Sequence, residues 1–526
     1  MSGGWGEVAL ARTYSVALVG VRGHLIEVEA DIASGLPATI LVGLPDTALR
    51  EARDRIRAAI VNSGQTWPNS KITVGLSPAA LPKRGSGFDL AIAVAILAAA
   101  EAVPAAALAG KMFLAELGLD GRLRPVPGVL PAVVAAEAAE AGVDTVVVAA
   151  QNVAEAALVP GVKAVGASSL TEVIVWLRGG PPPTPPVVPD PPPGPAPGSR
   201  FALAKKLDLA EVLGQAEARL AVEICAAGGH NLSLLGPPGV GKTMLAERLP
   251  TVLPPLEVAA AIEVTSIHSV AGRLTPRSGL LTVPPFCAPH HTSSMAAIVG
   301  GGSGGVVRPG AASLAHRGIL FLDEAPEFNR DVLDALRQPL ESGEVVIARA
   351  GTQAVFPARF TLVLAANPCP CAKSPGPGKT GCSCSPATRR RYLARISGPL
   401  LDRVDVKVRL QPVSRHEMLY DRKFAEPSAV VAERVAAARE RCAARLAGTP
   451  WRVNAEVPGT ALRRAFPPKH GALTPLDRAM ELGQVSARGA DKIVRVAWSL
   501  ADLSGKDQPG PDQVNLAIGL WLGVAQ

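Results

Sequence analysis

Aromatic residues are scarce in this chain, 4% in all (ten Phe, six Trp, three Tyr), so its cores are expected to be aliphatic. Long apolar runs are missing too. The longest, Leu90–Ala100, is stopped by Glu101 and Pro104, well short of the about 20 residues that a membrane helix needs. The first residues, M-S-G-G-W-G-E, offer no basic stretch, and Val16–Val21 is too short for a signal core. A cytoplasmic protein with no membrane partner is the expectation. Cysteine is sparse, seven in all, with four in one short cluster. That distribution excludes a secreted disulfide framework. No internal repeat is present.

Proline and glycine are plentiful, 49 and 52 residues, and the net charge is +8. The positive balance suits a polyanionic partner. A chain of 526 residues holds two to four domains on the usual prior of about 150 residues each. The plainest boundary is 181–198, P-P-P-T-P-P-V-V-P-D-P-P-P-G-P-A-P-G, which favours extended polyproline and buries no core. It predicts an N-terminal domain over 1–178, a linker over 179–200, a core over 201–412 and a helical lid over 413–526. In the first domain, Ser15–Val21 and Leu25–Ile32 alternate like paired strands and Asp46–Asn62 is spaced like an amphipathic helix. Lys71–Leu76 reads as a strand, Asp89–Ala100 as a buried helix and Lys111–Leu119 as a strand pair. A helix at Pro131–Ala141, a strand at Thr145–Ala149 and a last helix at Leu170–Arg178 complete an α/β sandwich. After the linker, Asp208–Ala227 reads as one helix. Gly300–Gly305 is too glycine-rich for regular structure and reads as a mobile loop. Helices are expected at Val430–Leu446, Leu476–Gly483, Ser486–Leu503 and Pro511–Leu522.

Two motifs carry the chemistry. Residues 236–243 read G-P-P-G-V-G-K-T after the apolar strand L-S-L-L, and 319–324 read I-L-F-L-D-E. In the first, Gly236, Gly239 and Gly241, with Pro237, Pro238 and Val240 between them, turn the backbone tightly, so that successive N–H groups point at phosphate oxygens. Lys242 supplies charge to the β/γ-phosphates, and the Thr243 hydroxyl is a Mg²⁺ ligand. The second is a buried strand ending in two carboxylates, Asp323 for the metal and Glu324 to polarise the attacking water. ATP with Mg²⁺ is the expected pairing.

Cys369-x-Cys371 and Cys382-x-Cys384 form a separate signal. Pro375, Gly376, Pro377, Gly378 and Gly381 lie between the pairs and let the chain fold back. Four thiolates gathered this way match a tetrahedral structural Zn²⁺ site. Reduced free thiols, or a redox pair, are the other readings. Arg389-Arg390-Arg391 with Tyr392, then Arg395, Arg403, Lys407 and Arg409, are strongly basic, which describes a solvated or intersubunit face as well as a nucleic-acid surface. His290 and His291 suit a metal, a phosphate or a structural hydrogen bond.

The order of motifs resembles the AAA+ ATPases. L-V-L-A-A-N at 362–367 matches a third strand ending in a polar amide, which implies that Asn367 orients the hydrolytic water. I-S-G-P-L-L-D-R-V-D at 396–405 resembles the segment that presents an arginine finger in the magnesium-chelatase and minichromosome-maintenance branch, which implies that role for Arg403. S-A-R-G at 486–489 opens a lid helix and makes Arg488 the match for the sensor-2 arginine. D-L-A-E-V-L-G-Q at 208–215 resembles the adenine-side segment. With A-P-H-H-T-S-S-M at 288–295 and L-E-S-G-E-V-V-I-A-R-A-G at 340–351, the whole chain resembles the magnesium-chelatase-like AAA+ ATPases of the YifB/ComM type. That implies a P-loop core with a parallel sheet and a helical lid. It also implies a hexameric ring and ATP-driven branch migration of DNA without sequence specificity. Two loops, Pro284–Gly305 and the hairpin Glu344–Pro357 with Arg349 at its bend, match insertions that face nucleic acid in related rings. Remodelling of a protein partner is the alternative.

The first domain resembles the ribosomal-S5-like domain of Lon, including L-P-K-R-G-S-G-F-D at 81–89. The Lon serine falls near Gly87 and the Lon lysine near Leu130. Ser86 lies next door with no matching Lys and no evident His/Asp base, so proteolysis is not expected.

Overall fold

The computed structural model describes residues 9–43, 47–81, 83, 85–184, 207–275, 278–302, 307–349, 352–373 and 382–523. Most of the proline-rich linker, the bend of the Glu344–Pro357 hairpin and the turn between the cysteine pairs lie outside these residues.

The first half is built on a mixed sheet in the order β3-β4-β2-β1-β5-β8-β9. Its strands are β1 (Ala9–Val19), β2 (Arg22–Ala33), β3 (Ala38–Val42), β4 (Lys71–Ser77), β5 (Lys111–Leu114), β8 (Thr145–Ala149) and β9 (Lys163–Ala167). The short strands β6 (Glu116–Leu117) and β7 (Leu123–Arg124) pair with each other outside it. The two-residue side-chain period of a strand divides this sheet into two cores. Ala11, Ala17, Phe113, Val147 and Ala149 point to one face, under the fully buried helix Asp89–Ala99. Val16, Met112, Leu114, Val146 and Val148 point to the other, under helix Val129–Glu137.

The second half is organised by five parallel strands in the order β11-β14-β17-β10-β18. These are β10 (Leu232–Leu235), β11 (Phe286–Cys287), β14 (Ile319–Leu322), β17 (Thr361–Ala366) and β18 (Val406–Arg409). Parallel strands covered on both faces read as near-continuous apolar runs, and β14, I-L-F-L, is buried at every position. Two small antiparallel pairs are added: β12 (Gly300–Gly301) with β13 (Arg308–Pro309), and β15 (Glu344–Arg349) with β16 (Thr352–Pro357). The lid helices Ser428–Arg445, Ala487–Leu503 and Pro511–Leu522 share one core with helix Ala216–Gly228 and β10. Arg434 clamps the lid with a two-pronged bond to Glu223, 2.7 and 2.9 Å.

The two halves touch through the β1–β2 turn. Gly20 there has φ +66°, and a Cβ on it would lie 2.5 Å from the Val355 carbonyl oxygen of β16. Val21 packs into the cluster that holds Val345 and Phe356.

Several sequence expectations change. Gly300–Gly301 is a paired strand rather than loop, because Gly310 and Gly300 approach too closely to admit side chains; residues 303–306 lie outside the described ones. The single helix over Asp208–Ala227 is instead a short turn at Leu209–Glu211 and a helix from Ala216. Gly214, at φ +70° and pressed against Val413, breaks it. The strand pair near Lys111 is β6 with β7, while Lys111–Leu114 joins the main sheet. Strands β3, β9 and β18 and helix Arg415–Asp421 went unread. That last helix opens on a capping box made by Ser414 and Glu417.

Candidate active site

Parallel alignment brings three strand ends to one edge, where ligands bind in open α/β sheets. β10 runs into 236–241, β14 into Asp323 and Glu324, and β17 into Asn367. Gly239 and Gly241 hold φ at +78° and +93°, in the left-handed region where only glycine is unstrained. A Cβ on Gly236 would lie 2.8 Å from the Leu410 carbonyl oxygen. Pro237, Pro238 and Val240 complete the loop, and the helix Lys242–Arg248 follows. Gln215 ties this loop to the end of β18, donating to the Val240 carbonyl at 3.3 Å and the Gln411 carbonyl at 2.9 Å.

Lys242 is buried inside the turn. Its Nζ donates to the Gly236 and Pro237 carbonyls (2.7 and 2.9 Å) and to Asn367 Oδ1 at 3.0 Å. Burial lowers its pKa, and the facing charges of Asp323 and Glu324 oppose that. Thr243 Oγ1 donates to Asp323 Oδ2 at 2.8 Å, so one hydroxyl and one carboxylate converge as a hard, all-oxygen pair that fits Mg²⁺. Glu324 is a non-glycine residue at φ +51°, a sparsely populated conformation typical of functional sites. Its Oε2 lies 3.4 Å from His291 Nδ1, a contact that the H-H pair hinted at without a partner. A groove of about 540 Å³ opens beside it, lined by His291, Ser294, Met295, Asn329 and Asp331.

Arg403 and Arg488 are not at this edge. Asn231 precedes β10, and its Nδ2 donates to the Arg403 carbonyl at 2.8 Å, while its backbone N–H donates to Asp405 Oδ2 at 2.9 Å. Lys492, one helical turn beyond Arg488, pairs with Asp405 Oδ1 at 2.7 Å. Both arginines therefore sit at the opposite end of the sheet, about 16 Å of extended strand from Gly236 at about 3.3 Å per residue. Arg403 pairs with Glu341, and its buried Nε has no hydrogen-bond partner. Burial and the nearby charges of Arg488 and Arg337 lower its pKa. Two like charges thus lie near Arg403, whose ion-pair partner among the described residues is Glu341. Sequence reading gave no sign of Arg337 or Glu341.

The four clustered cysteines come together as expected. All four Sγ atoms lie within 4.8 Å of one another; Cys369–Cys371 is 3.0 Å, Cys369–Cys382 3.2 Å and Cys371–Cys382 3.4 Å, with Cys384 beside them. Hydrogen bonds, the Cys384 backbone foremost, pull the Cys382 thiol down to about 6. An all-sulfur donor set of this compactness fits tetrahedral zinc, with Zn–S of about 2.3 Å.

A glycine-rich loop on a central parallel strand, a two-carboxylate strand end and an amide between them define an AAA+ ATPase. The comparisons agree. The family model for magnesium chelatase, subunit ChlI, matches residues 208–418, that for subunit ChlI of Mg-chelatase matches 28–152, and that for the ChlI C-terminal part matches 425–520. An uncharacterized protein of Mycobacterium tuberculosis is 51% identical over 511 residues, 97% of this chain and 98% of that one. Competence protein ComM of Haemophilus influenzae is 41% identical over 515 residues, 97% of each. YifB of Escherichia coli, also uncharacterized, is 39% identical over 501 residues, 95% of this chain and 94% of its own. The chain belongs to the magnesium-chelatase-like YifB/ComM family. Among the described residues, no helix is long and apolar enough to cross a membrane.

Proposed function

We propose that the protein is an ATP-driven motor that acts on branched or single-stranded DNA as a ring of identical subunits, six in the family-based expectation. The observation that carries the reading is the separation of Arg403 from its own P-loop. A site whose cation lies at the far end of the sheet needs a second copy to supply it. Mg²⁺–ATP, when bound, would supply the γ-phosphoryl group that passes to water, with ADP as the leaving group and the metal offsetting the charge. This chain's residues then do the rest. The loop N–H groups and Lys242 hold the phosphates, Thr243 and Asp323 hold the metal, and Glu324 and Asn367 orient water. A neighbour's Arg403, with Arg488 beside it, meets the charge that develops. Exposed Met418, Leu419, Tyr420 and Phe424 suit a subunit contact in such a ring.

The choice of DNA rests on the +8 charge and on the likeness to a protein named for competence. The match to a magnesium-chelatase subunit favours the second reading, an ATPase that remodels a protein. ATPase rates with and without forked or four-way DNA separate the two. Stimulation is expected, and indifference to DNA moves the assignment to protein remodelling. Backbone phosphate contacts carry no sequence information, so stimulation is expected to be sequence-neutral. A cytoplasmic setting, which keeps thiols reduced, belongs to the same reading.

We also propose that the four-cysteine cluster holds a structural zinc. Metal analysis of the purified protein is expected to find about one zinc per chain. Cys382→Ser is expected to lose most of it, and full metal content in that variant refutes the site.

Proteolysis is not part of the reading. Ser86 Oγ donates to the Glu116 carboxylate, a partner that sequence reading missed. Lys83 Nζ turns instead to the Pro78 carbonyl, and Leu130 is buried in the core. Among the described residues, no imidazole or amine lies on the Ser86 hydroxyl to take its proton.

A further inference from the structure

Helix Pro386–Leu393 reads P-A-T-R-R-R-Y-L and has no acidic residue. Ser385 caps it, accepting from the Thr388 N–H at 3.2 Å, with Pro386 at the first helical position. Arg389, Arg390 and Arg391 are all exposed, as is Lys373 nearby. Other basic residues of this segment are engaged. Arg395 pairs with Glu327 and Arg403 with Glu341, and Lys407 lies over the Trp521 ring. Arg390 and Arg391 have no ion-pair partner among the described residues. At about 100° per helical residue, the three consecutive arginines fan through about 200°. A row of phosphates meets that spread and a single carboxylate does not.

Both ends of this helix lead to the water-handling residues. At its start, Arg389 Nη2 lies 3.5 Å from Cys382 Sγ, and the cysteine cluster begins two positions after Asn367. At its end, the buried Tyr392 ring lies under the Arg395 guanidinium, its centroid 5.9 Å away, and the Glu327 N–H donates to the Glu324 carbonyl at 2.7 Å. Arg395 donates to the Pro326 carbonyl at 3.4 Å and to Glu327 Oε2 at 3.1 Å, and Ser397 Oγ donates to Asp334 Oδ1 at 2.6 Å. The segment that leaves Glu324 is thus gripped by the arginine helix.

We propose that the exposed face of this helix, Arg390 and Arg391 foremost, is a docking surface for a nucleic-acid phosphate backbone, and that docking is passed through Arg395 and Glu327 to Glu324. This rests on the reading of the protein as a DNA-stimulated ATPase. Arginine forks suit phosphate oxygens, and each phosphate neutralised releases counterions.

The test uses the full chain, fluorescein-labelled forked DNA and a salt series. The double variant Arg390→Ala/Arg391→Ala is expected to keep basal ATPase and the elution position of wild type. Its DNA affinity should fall at least about tenfold, with the slope of log K against log salt shallower by about 1 per arginine removed. Arg395→Gln is expected to bind DNA nearly like wild type but to lose most of the stimulation. Wild-type affinity, slope and stimulation in the double variant overturn the docking surface while leaving the motor reading intact. Collapse of the double variant to monomers also overturns it, by making this face a subunit contact. Undiminished stimulation in Arg395→Gln overturns the transmission. A wild-type protein that binds no DNA overturns the motor reading itself, and this surface with it.

Discussion

Arg403→Ala is expected to slow ATP hydrolysis by about 10³–10⁵-fold, the range for losing an arginine that meets transition-state charge, while nucleotide binding survives. The geometry explains the split. The loop around Lys242 belongs to one edge of the sheet, and Arg403 is tied by Asn231 to the other. Removing the arginine therefore leaves its own chain's phosphate cradle untouched. In the proposed ring it would damage the site of the chain next door. A mixture makes the point sharper. Lys242→Ala lacks a cradle and Arg403→Ala lacks a cation, so each alone is expected to be inactive. Combined, they can pair an intact cradle with an intact arginine at some seams, and partial activity is expected to return. Phosphate release measured across mixing ratios reads this directly. Full-speed hydrolysis by Arg403→Ala, or a mixture that stays silent at every ratio, removes the shared site.

The second large effect lies within one chain. Glu324→Gln is expected to keep ATP bound and to reduce turnover by about 10²–10⁴-fold, the usual contribution of a positioned acid–base group. The amide preserves shape and loses the charge that polarises water. Lys242→Ala should fail one step earlier, at binding, because the loop loses the cation that its carbonyls and Asn367 surround. Equilibrium binding of a labelled ATP analogue, read beside phosphate release, separates the two defects. Equal turnover by Glu324→Gln and wild type takes Glu324 out of the mechanism.

Much of this site was legible because its parts are local strings. The loop at 236–243, the I-L-F-L-D-E strand and the amide at Asn367 each carry chemistry within a few residues, and parallel pairing does the rest. The four cysteines were legible for the same reason. What stayed hidden depends on distant pairs. Nothing near Arg403 announces Glu341 or Arg337, nothing near His291 announces Glu324, and Arg395 meets Glu327 only because its segment packs on another strand's exit. Strand β18 was missed because V-K-V-R is short and half charged, though its apolar positions Val406 and Val408 are buried. Gly214 was read as part of a helix, since only the approach of Val413 makes its left-handed turn necessary.

The bare backbone at Gly20 leaves no slack between the two halves of the molecule. Any displacement of the strand Thr352–Pro357 would be felt at the front sheet, as a gear tooth moves its wheel. Lengthening that tooth by a single methyl group, Gly20→Ala, strains the left-handed turn and drives a carbon against the Val355 carbonyl at once.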